Sequence, residues 1–328
     1  MAVGIHVAPA EECSAPPELG FESMGDIERR SRVFREDARD FHARRALESY
    51  RQYRLGCIRT SLSLLRKASL PKRILVSARL KRLESVHRKM RRHRDHLMPA
   101  HEMQDIIGFR LVCESLDQAV ALGRELRDKV PGTRIKDYIQ TKHPHSLGYR
   151  AIHAVTRFRQ PFLDTHVTVN FEVQIRTWYQ HLWACWCESF GEQAKEGFAN
   201  RERVVPEKVG EQKRLLVERS QQIARWEEKH RGDVQKKLPQ FSDGYHLAVA
   251  WTAPGGRFHL HPCGTSATTA VKYVRDAESR RDSRVLLLAG VTGSPDPKHL
   301  ERTLAMTHPN FVKRGPYLDP RDWIPEGA

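Results

Sequence analysis

The chain has 328 residues, enough for about two domains at the usual size of roughly 100–200 residues each. Hydrophobic residues make up 39% and charged residues 29%, which is typical of a soluble globular protein, and no apolar run approaches the roughly 20 residues of a membrane span. The net charge of +16 favours polyanionic partners such as nucleotides, RNA or DNA.

The amino-terminal segment lacks the features of an export signal. It contains Glu11, Glu12 and Glu18 and has no basic stretch followed by an apolar one. We therefore expect residues 1–25 to be a mobile tail. The six cysteines form no CxxC pair and, without an export signal, are expected to remain reduced. The sequence predicts a cytoplasmic protein that does not associate with membranes.

Arginine-rich helices are predicted at the start of the folded region. Residues 26–67 mix arginines with acidic residues, so part of this segment should form ion pairs along one or two helices. Pro71 marks a break. Apolar residues from Leu80 to Met90 then recur at helical spacing, which predicts another helix over residues 76–92.

Strands and helices alternate after residue 105. The predicted strands span residues 105–113, 133–139, 149–158 and 166–176. Helices are predicted over residues 116–129 and from residue 178 onward. This order predicts a mixed sheet covered by helices, an α/β or α+β fold.

Two further units are predicted beyond this sheet. Residues 196–240 are charged and carry a sparse apolar stripe, including Leu216 and Ile223, as expected of a connecting helix packed on one side. A ββαβα pattern follows, opened by the hairpin signal Ala253-Pro-Gly-Gly256. The expected organisation is a tail at 1–25, a main domain at 26–195, a connecting helix at 196–240, a small accessory domain at 241–315 and a tail at 316–328.

One predicted strand carries functional groups on a single face. Because strand side chains alternate, Asn170, Glu172, Gln174 and Arg176 lie opposite the apolar residues between them. A solvated outer face would produce the same pattern. A carboxylate, an amide and a guanidinium on one face of an otherwise buried strand also suit a polar substrate.

Cationic residues cluster on the predicted helix over residues 76–92. Lys81, Ser85 and Lys89 fall at i, i+4 and i+8 on one face, and Arg79 lies beside them. Such a face could cradle phosphates, with lysine as a point charge and arginine as a fork. A solvated basic face is the simpler alternative.

Polar residues near the ends of the strands offer further chemistry. Asp105 precedes the first strand, with Arg110 beyond it, and could share a divalent ion with Glu172 or serve only as a turn residue. Tyr149, with His153 on the same strand face, could stack on a base or fill the edge of the sheet.

Together these residues resemble the synthetase domain of the RelA/SpoT family, the alarmone synthetases. The matching segments, in the family's order over roughly residues 50–195, are Arg79-Leu-Lys81-x3-Ser85-x3-Lys89, Asp105-x-x-Gly108-x-Arg110, Lys136-Asp-Tyr-Ile139, Gly148-Tyr-Arg-x-x-His153 and Glu172-Val-Gln-Ile-Arg-Thr177, followed by His181. Each segment alone is a weak signal, but five in order are a strong one. The resemblance implies a nucleotidyltransferase-like mixed β-sheet flanked by helices. It also implies an enzyme that transfers the β,γ-diphosphate of ATP to the 3′-hydroxyl of GDP or GTP, giving (p)ppGpp.

The resemblance further implies a role for each residue. Those that would bind ATP are Arg79, Lys81, Ser85, Lys89 and Arg110. Asp105 and Glu172 would be catalytic and bind Mg²⁺, and Glu172 would also take the proton of the 3′-hydroxyl. Tyr149 would stack on the acceptor base. The remaining acceptor-binding residues would be Lys136, His153, Gln174, Arg176 and His181.

The sequence departs from the family pattern mainly on the acceptor side. The loop from Gln140 to Leu147 is longer than usual, and no asparagine precedes Gly148. Either Lys142 or His145 could replace the expected loop lysine, and Arg150 stands in place of a common glutamine. The segment Arg79-Leu-Lys81-x3-Ser85-x3-Lys89, which would bind ATP, matches the family pattern.

Two alternatives stay open at this point. A toxin-type relative would pyrophosphorylate the 3′ end of tRNA, which the arginines of residues 29–59, the altered loop and the net charge of +16 would suit. A degenerate site would leave a nucleotide- or RNA-binding module. Asp95-His96 has no partner motif for a metal hydrolase, so we expect synthesis without hydrolysis. The carboxy-terminal unit could bind a regulatory or antitoxin partner.

Overall fold

The computed structural model describes residues 21–92, 98–140, 148–162, 165–189, 207–238, 247–252, 258–264, 267–278 and 285–288. Most of the predicted amino-terminal tail, the loop at 141–147 with Lys142 and His145, Asp95-His96 and everything after residue 288 lie outside the described residues. No helix within the described ranges has the length and apolar character needed to cross a bilayer.

Three helices precede the first strand, where the sequence predicted one or two. They are α1 (Met24–Glu36), α2 (Phe41–Gly56) and α3 (Ile58–Leu65). The hydroxyl of Ser23 accepts from Asp26 N at the start of α1, and the carboxylate of Asp40 accepts from Ala43 N at the start of α2. These caps satisfy amide groups that the first helical turn leaves without a partner.

The predicted helix over residues 76–92 is wrong in its first half. Residues Leu75–Leu80 form strand β1, and helix α4 spans only Leu83–Arg92. β1 lies inside the sheet, and most of its residues are buried on both faces. The helical spacing that predicted this helix begins only at Leu80, whereas Leu75–Leu80 find their strand partners at residues 107–112, further along the chain.

This correction changes how the cationic residues are arranged. Arg79 lies on β1 and Lys81 lies in the short connection to α4, so only Ser85 and Lys89 share a helix face. The cationic group therefore comes from a strand, a turn and a helix that meet in space.

The five-strand core of the sheet has the order β3-β4-β5-β2-β1. Its other strands are β2 (Ile107–Cys113), β3 (Arg134–Asp137), β4 (Ile152–Phe162) and β5 (Thr165–Thr177). β2 and β5 pair in parallel, and the remaining pairs are antiparallel. Helix α5 (Leu116–Lys129) occupies the range predicted for it and packs on β4 and β5. The mixed α+β fold is confirmed.

Strand register aligns polar residues across the sheet. Lys136 pairs with His153, His153 with Gln174, and Gln174 with Arg110. Residues directly opposite each other project to the same face of a sheet. Glu172 lies two residues before Gln174 and therefore joins the same face. The opposite face carries buried apolar residues, including Phe109, Val173 and Ile175.

Two helices cover the end of the polar face. Helix α6 (Trp178–Ser189) follows β5 directly, and α7 (Glu207–Lys229) packs against it. Leu216 and Ile223 of α7 are buried in one cluster with Trp183, as the apolar stripe predicted.

The carboxy-terminal strands extend the same sheet. Strands β6 (Leu247–Thr252) and β7 (Phe258–Gly264) form the predicted antiparallel pair, followed by helix α8 (Ala267–Glu278) and strand β8 (Val285–Leu288). β8 pairs with β6 and also with β1, where Ala78 faces Leu287. Among the described residues, the strand order of the sheet is β3-β4-β5-β2-β1-β8-β6-β7. The last helix of the predicted ββαβα pattern lies outside the described residues.

Candidate active site

A pocket opens on the polar face where β1, β2 and β5 lie side by side. Its lining residues are Ser77, Ala78, Arg79, Asp105, Gly108, Phe109, Arg110, Glu172 and Gln174. Gly108 pairs with both Arg79 and Glu172 and places no side chain between them. Five of the residues proposed from sequence therefore line one cavity.

Asp105 is held by two lysines at the edge of this pocket. Lys81 Nζ lies 2.5 Å from Asp105 Oδ2, and Lys89 Nζ lies 2.8 Å from Asp105 Oδ1. The Asp105 side chain is only 13% exposed. Burial pushes the pKa of Asp105 upward, but the charges and hydrogen bonds of the two lysines outweigh burial and hold the pKa well below its usual value. Asp105 is therefore ionised at neutral pH.

The backbone around Lys81 is fixed from two directions. Lys81 N–H donates to Ile106 O at 2.8 Å, beside Asp105 in the chain. Arg51 of α2, which is buried, donates from Nε to Lys81 O at 2.7 Å. Arg51 was not among the site residues predicted from the sequence. A signal exists, because Arg51 falls in register with the buried stripe of α2 that includes Leu47 and Tyr50.

Glu172 lies on the other side of the pocket and accepts two contacts. Gln174 Nε2 donates to Glu172 Oε1 at 2.7 Å, and His153 Nδ1 lies 3.4 Å from Glu172 Oε2. Burial pushes the pKa of Glu172 upward, and the charge of Asp105 adds to this effect. The contacts from His153 and Gln174 outweigh both, so the pKa lies below the usual value of a glutamate.

Glu172 and four neighbouring side chains form a closed ring of contacts. Arg176 Nη2 donates to Gln174 Oε1 at 2.7 Å and to the Tyr149 hydroxyl at 2.8 Å. The Tyr149 hydroxyl lies 2.6 Å from His153 Nε2. Since a carboxylate only accepts, one path leads from Arg176 through Gln174 to Glu172, and the other leads through Tyr149 and His153. Linked hydrogen bonds of this kind polarise and orient one another.

Tyr149 is held on several sides. Arg176 Cζ lies 5.2 Å from the centroid of its ring, and the rings of Tyr138 and Trp183 lie edge-on at 5.8 and 6.3 Å. Tyr149 remains partly exposed, so its ring combines a fixed orientation with access for a ligand. Lys136 is exposed on β3, and its Nζ lies 5.7 Å from the ring centroid of Tyr138.

Three of the residues proposed from sequence contact side chains that do not line the pocket. Ser85 Oγ accepts from Arg88 Nη2 at 3.1 Å on α4. Arg110 lines the pocket, but its Nη1 also lies 3.9 Å from the sulfur of Cys185. His181 is completely buried on α6 with its ring 3.7 Å from the same sulfur. His181 therefore contacts the lining of the pocket through Cys185.

Asp105 and Glu172 are suited to a divalent ion carried by a nucleotide. Both line the same pocket, and the charge of Asp105 acts on Glu172. The described residues contain no group of three or more histidine, cysteine or acidic residues that could hold a metal alone. Mg²⁺ is commonly bound by one or two carboxylates together with substrate phosphates. Two acids beside several cations match that requirement.

Comparisons with known proteins point to one family. Residues 78–190 match the family model described as the region found in RelA/SpoT proteins. The chain is 28% identical over 169 residues to the GTP pyrophosphokinase YjbM of Bacillus subtilis, an alignment that covers 51% of this chain and 76% of that protein. It is also 30% identical over 159 residues to protein Rv1366 of Mycobacterium tuberculosis, covering 46% of this chain and 54% of that protein.

A solved structure is also similar to part of the chain. Small alarmone synthetase 1 of Bacillus subtilis bound to its product pppGpp shares 27% sequence identity and has a TM-score of 0.38. The match covers 49% of this chain and 79% of that one.

Proposed function

Because residues 78–190 match the model of the region found in RelA/SpoT proteins, we propose that the chain transfers the β,γ-diphosphate of ATP to the 3′-hydroxyl of GDP or GTP. The products would be AMP and ppGpp or pppGpp. One observation carries the proposal: Asp105 and Glu172 line a single pocket with Arg79 and Arg110, and Lys81 and Lys89 converge on Asp105 at its edge.

The donor side of the pocket would bind the phosphates of ATP. Lys81 and Lys89 supply point charges, and Arg79 supplies a guanidinium that can engage two oxygens at once. Ser85 offers a hydroxyl on the same helix face as Lys89. The two lysines neutralise Asp105, and the phosphates of ATP would compete with that carboxylate for them.

The acceptor side would hold the guanosine nucleotide. Tyr149 presents a partly exposed ring on which the base can stack, and Arg176 fixes the orientation of that ring. Lys136 on the neighbouring edge strand is exposed and can reach the acceptor phosphates. The 3′-hydroxyl would then lie toward Glu172.

The chemical step follows from this placement. The 3′-oxygen attacks the β-phosphorus of ATP, the bond from that phosphorus to the oxygen bridging the α-phosphate breaks, and AMP leaves with the bridging oxygen. Glu172 accepts the hydroxyl proton, because its lowered pKa keeps it ionised at neutral pH. A weak base suffices, since phosphoryl transfer depends mainly on positioning and on stabilising charge. Mg²⁺ held by Asp105 and Glu172 would neutralise charge on the phosphate oxygens.

The arginine-rich helices favour a nucleotide acceptor over tRNA. Arg51 and Arg54 are buried, and they donate to backbone oxygens of Lys81 and Asn170. Ion pairs within α1 and α2 join Arg29 to Asp26, Arg32 to Glu28 and Arg44 to Glu48. Much of the positive charge that suggested an RNA surface therefore supports the fold.

A tRNA acceptor remains the second candidate because of the excess positive charge. The chain carries a net charge of +16, and Arg39 and Arg45 are exposed. Phosphate-rich RNA would be attracted to such a surface. A binding module without activity is less consistent with two ionised acids in one cationic pocket.

The deciding experiment follows radiolabel from ATP. Purified protein is incubated with [γ-³²P]ATP and Mg²⁺, together with GDP, GTP or deacylated tRNA in separate reactions. We expect label in a guanosine product and an equal amount of AMP. Label entering tRNA alone would show that tRNA, and not a guanosine nucleotide, is the acceptor. No transfer to any acceptor would overturn the enzymatic proposal.

A matched pair of variants connects the activity to the pocket. Glu172→Gln keeps the size of the side chain but removes the base, and we expect about 10²- to 10⁴-fold less transfer. Glu36→Gln makes the same change on an exposed residue of α1 and should leave the activity unchanged. Equal activity of both variants would show that Glu172 is not the base.

A further inference from the structure

We propose that helix α7 is a positioning element for the acceptor side, holding Tyr149 and Arg176 in place through Ser220 and Glu227. This inference rests on the proposed function, because Tyr149 and Arg176 are its acceptor-binding residues. α7 begins at Glu207 and so lies beyond the residues 78–190 that match the family. Part of the acceptor site would therefore be supported from outside the family region.

The first anchor holds the residue before Tyr149. Ser220 is buried, and its hydroxyl donates to the backbone oxygen of Gly148. Gly148 adopts φ 79°, and a Cβ atom there would lie 2.5 Å from Ser220 Cβ and 3.5 Å from Val217 Cα. Only glycine accepts both this backbone conformation and this proximity. The chain entering Tyr149 is therefore pressed directly against α7.

The second anchor holds the residue after Arg176. Glu227 is completely buried and accepts from the Thr177 hydroxyl, from Gln180 Nε2 at 2.7 Å and from Gln235 Nε2 at 3.0 Å. Burial raises the pKa of Glu227, and these hydrogen bonds oppose the rise. Three hydrogen-bond donors fix the position of this buried carboxyl group. It ties the end of β5, immediately after Arg176, to α7.

One rigid helix thus connects the two acceptor residues. Ser220 and Glu227 lie two turns apart on the same side of α7, at a spacing of about 10 Å along the axis. The two anchored residues also contact each other directly. Arg176 donates a 2.8 Å hydrogen bond to the Tyr149 hydroxyl, and its guanidinium lies over the face of the Tyr149 ring. Trp183 of α6 adds a third connection, since its Nε1 donates to Leu216 O at 2.8 Å and its ring lies 6.3 Å from that of Tyr149.

The donor side has different supports. Lys81 is fixed by Arg51 of α2 and by Ile106, and Asp105 is fixed by Lys81 and Lys89. Loosening an α7 anchor should therefore weaken acceptor binding much more than ATP binding. A purely structural helix would affect both substrates, or only the unfolding temperature.

The test compares substitutions at the anchors with matched controls in the full chain. Ser220→Ala removes one hydrogen bond from a small side chain, and we expect KM for GDP to rise about three- to tenfold while KM for ATP stays within about twofold. Ser69→Ala makes the same change at an exposed position and should alter neither value. Thermal unfolding of each variant confirms that the proteins compared are folded.

At the second anchor, a conservative substitution should restore part of the acceptor binding that an alanine substitution removes. Glu227→Ala should raise KM for GDP at least as much as Ser220→Ala. Glu227→Gln keeps an oxygen that accepts from Thr177 and should restore much of the loss. Glu228→Ala, at the exposed neighbouring position, is the control.

The possible outcomes distinguish a failure of the inference about α7 from a failure of the proposed function. If the wild-type chain modifies GDP and folded Ser220→Ala keeps the wild-type KM for GDP, α7 is not a positioning element. Equal losses for ATP and GDP in that variant would also overturn the inference. If the wild-type chain transfers no label to GDP or GTP, the proposed function is wrong and the inference falls with it.

Discussion

The donor and acceptor sides of the pocket stabilise their charged groups in different ways. On the donor side, Asp105 is neutralised by Lys81 and Lys89 at 2.5 and 2.8 Å. On the acceptor side, Glu172 belongs to a closed ring of hydrogen bonds that begins and ends at Arg176. Phosphates can replace a carboxylate as the partner of a lysine. The ring, by contrast, consists entirely of side chains of the protein.

In the proposed reaction, Lys81 and Lys89 would exchange Asp105 for the phosphates of ATP. Tyr149, His153 and Gln174 would instead keep their hydrogen bonds when the acceptor binds. The helices that support the two sides also differ, α2 on the donor side and α7 on the acceptor side. The following predictions test whether the two sides behave independently.

The largest effect is expected from Asp105→Asn. Transfer to GDP should fall about 10²-fold or more, because one of two proposed metal ligands is lost. ATP binding measured without Mg²⁺ should tighten a few-fold, since Lys81 and Lys89 no longer have a carboxylate partner. Isothermal titration with ATP in EDTA checks this second expectation. Weaker ATP binding in the variant would contradict the exchange of partners on the donor side.

Gly148→Ala should disturb mainly the acceptor side. The new Cβ would meet Ser220 Cβ at 2.5 Å in a backbone conformation that alanine rarely adopts. We expect a loss of about 2–3 kcal/mol in the free energy of unfolding, measured by urea denaturation, and a higher KM for GDP. The double variant Gly148→Ala/Ser220→Gly removes the steric conflict and should recover part of the stability. An equally unstable double variant would show that the contact with α7 is not the cause.

The ion pairs of Asp105 predict a pH-dependent part of the stability. Because the folded pKa of Asp105 is lowered, its contribution is present above the unfolded pKa of about 3.9 and is lost as pH falls toward the folded value. Wild type should therefore be more stable than Asp105→Asn at pH 7, by about 1–3 kcal/mol, and the difference should shrink below about pH 4. Urea denaturation of both proteins at pH 7 and pH 3 measures it. A difference that grows on acidification would contradict the assignment.

The smallest effect is expected from Tyr149→Phe. This change keeps the ring for stacking but removes the hydroxyl that connects Arg176 to His153. We expect KM for GDP to change by less than about threefold and kcat to fall by about two- to tenfold, because Glu172 keeps its second path through Gln174. Tyr149→Ala should raise KM for GDP strongly. Similar values for the two variants would show that the hydroxyl, and not the ring, holds the acceptor.

Regular patterns in the sequence predicted much of the site. Strict alternation along β5 placed Glu172, Gln174 and Arg176 on one face, and the structure shows them bonded in series. The resemblance of the segments carrying Asp105, Tyr149 and Glu172 to the RelA/SpoT family implied that they belong to one site. The roles given to these residues stay predictions until activity is measured.

Local patterns failed where burial on two sides removes periodicity. β1 was predicted as helix because the apolar residues from Leu80 to Met90 recur at helical spacing, and the neighbours of β1 in the sheet are distant in sequence. Arg51 and Arg54 were read as surface charge, although both follow the buried stripe of α2. In each case the deciding partner lies elsewhere in the chain.

The sequence by itself determined the chemical groups and the faces of the strands that carry them, because alternation and helical spacing are properties of a local backbone. Only the tertiary structure decided which groups meet. The contacts of Lys81 with Asp105, of Arg51 with Lys81 and of Ser220 with Gly148 join residues 24, 30 and 72 positions apart. Such contacts depend on how strands and helices pack, and no short-range spacing encodes that packing.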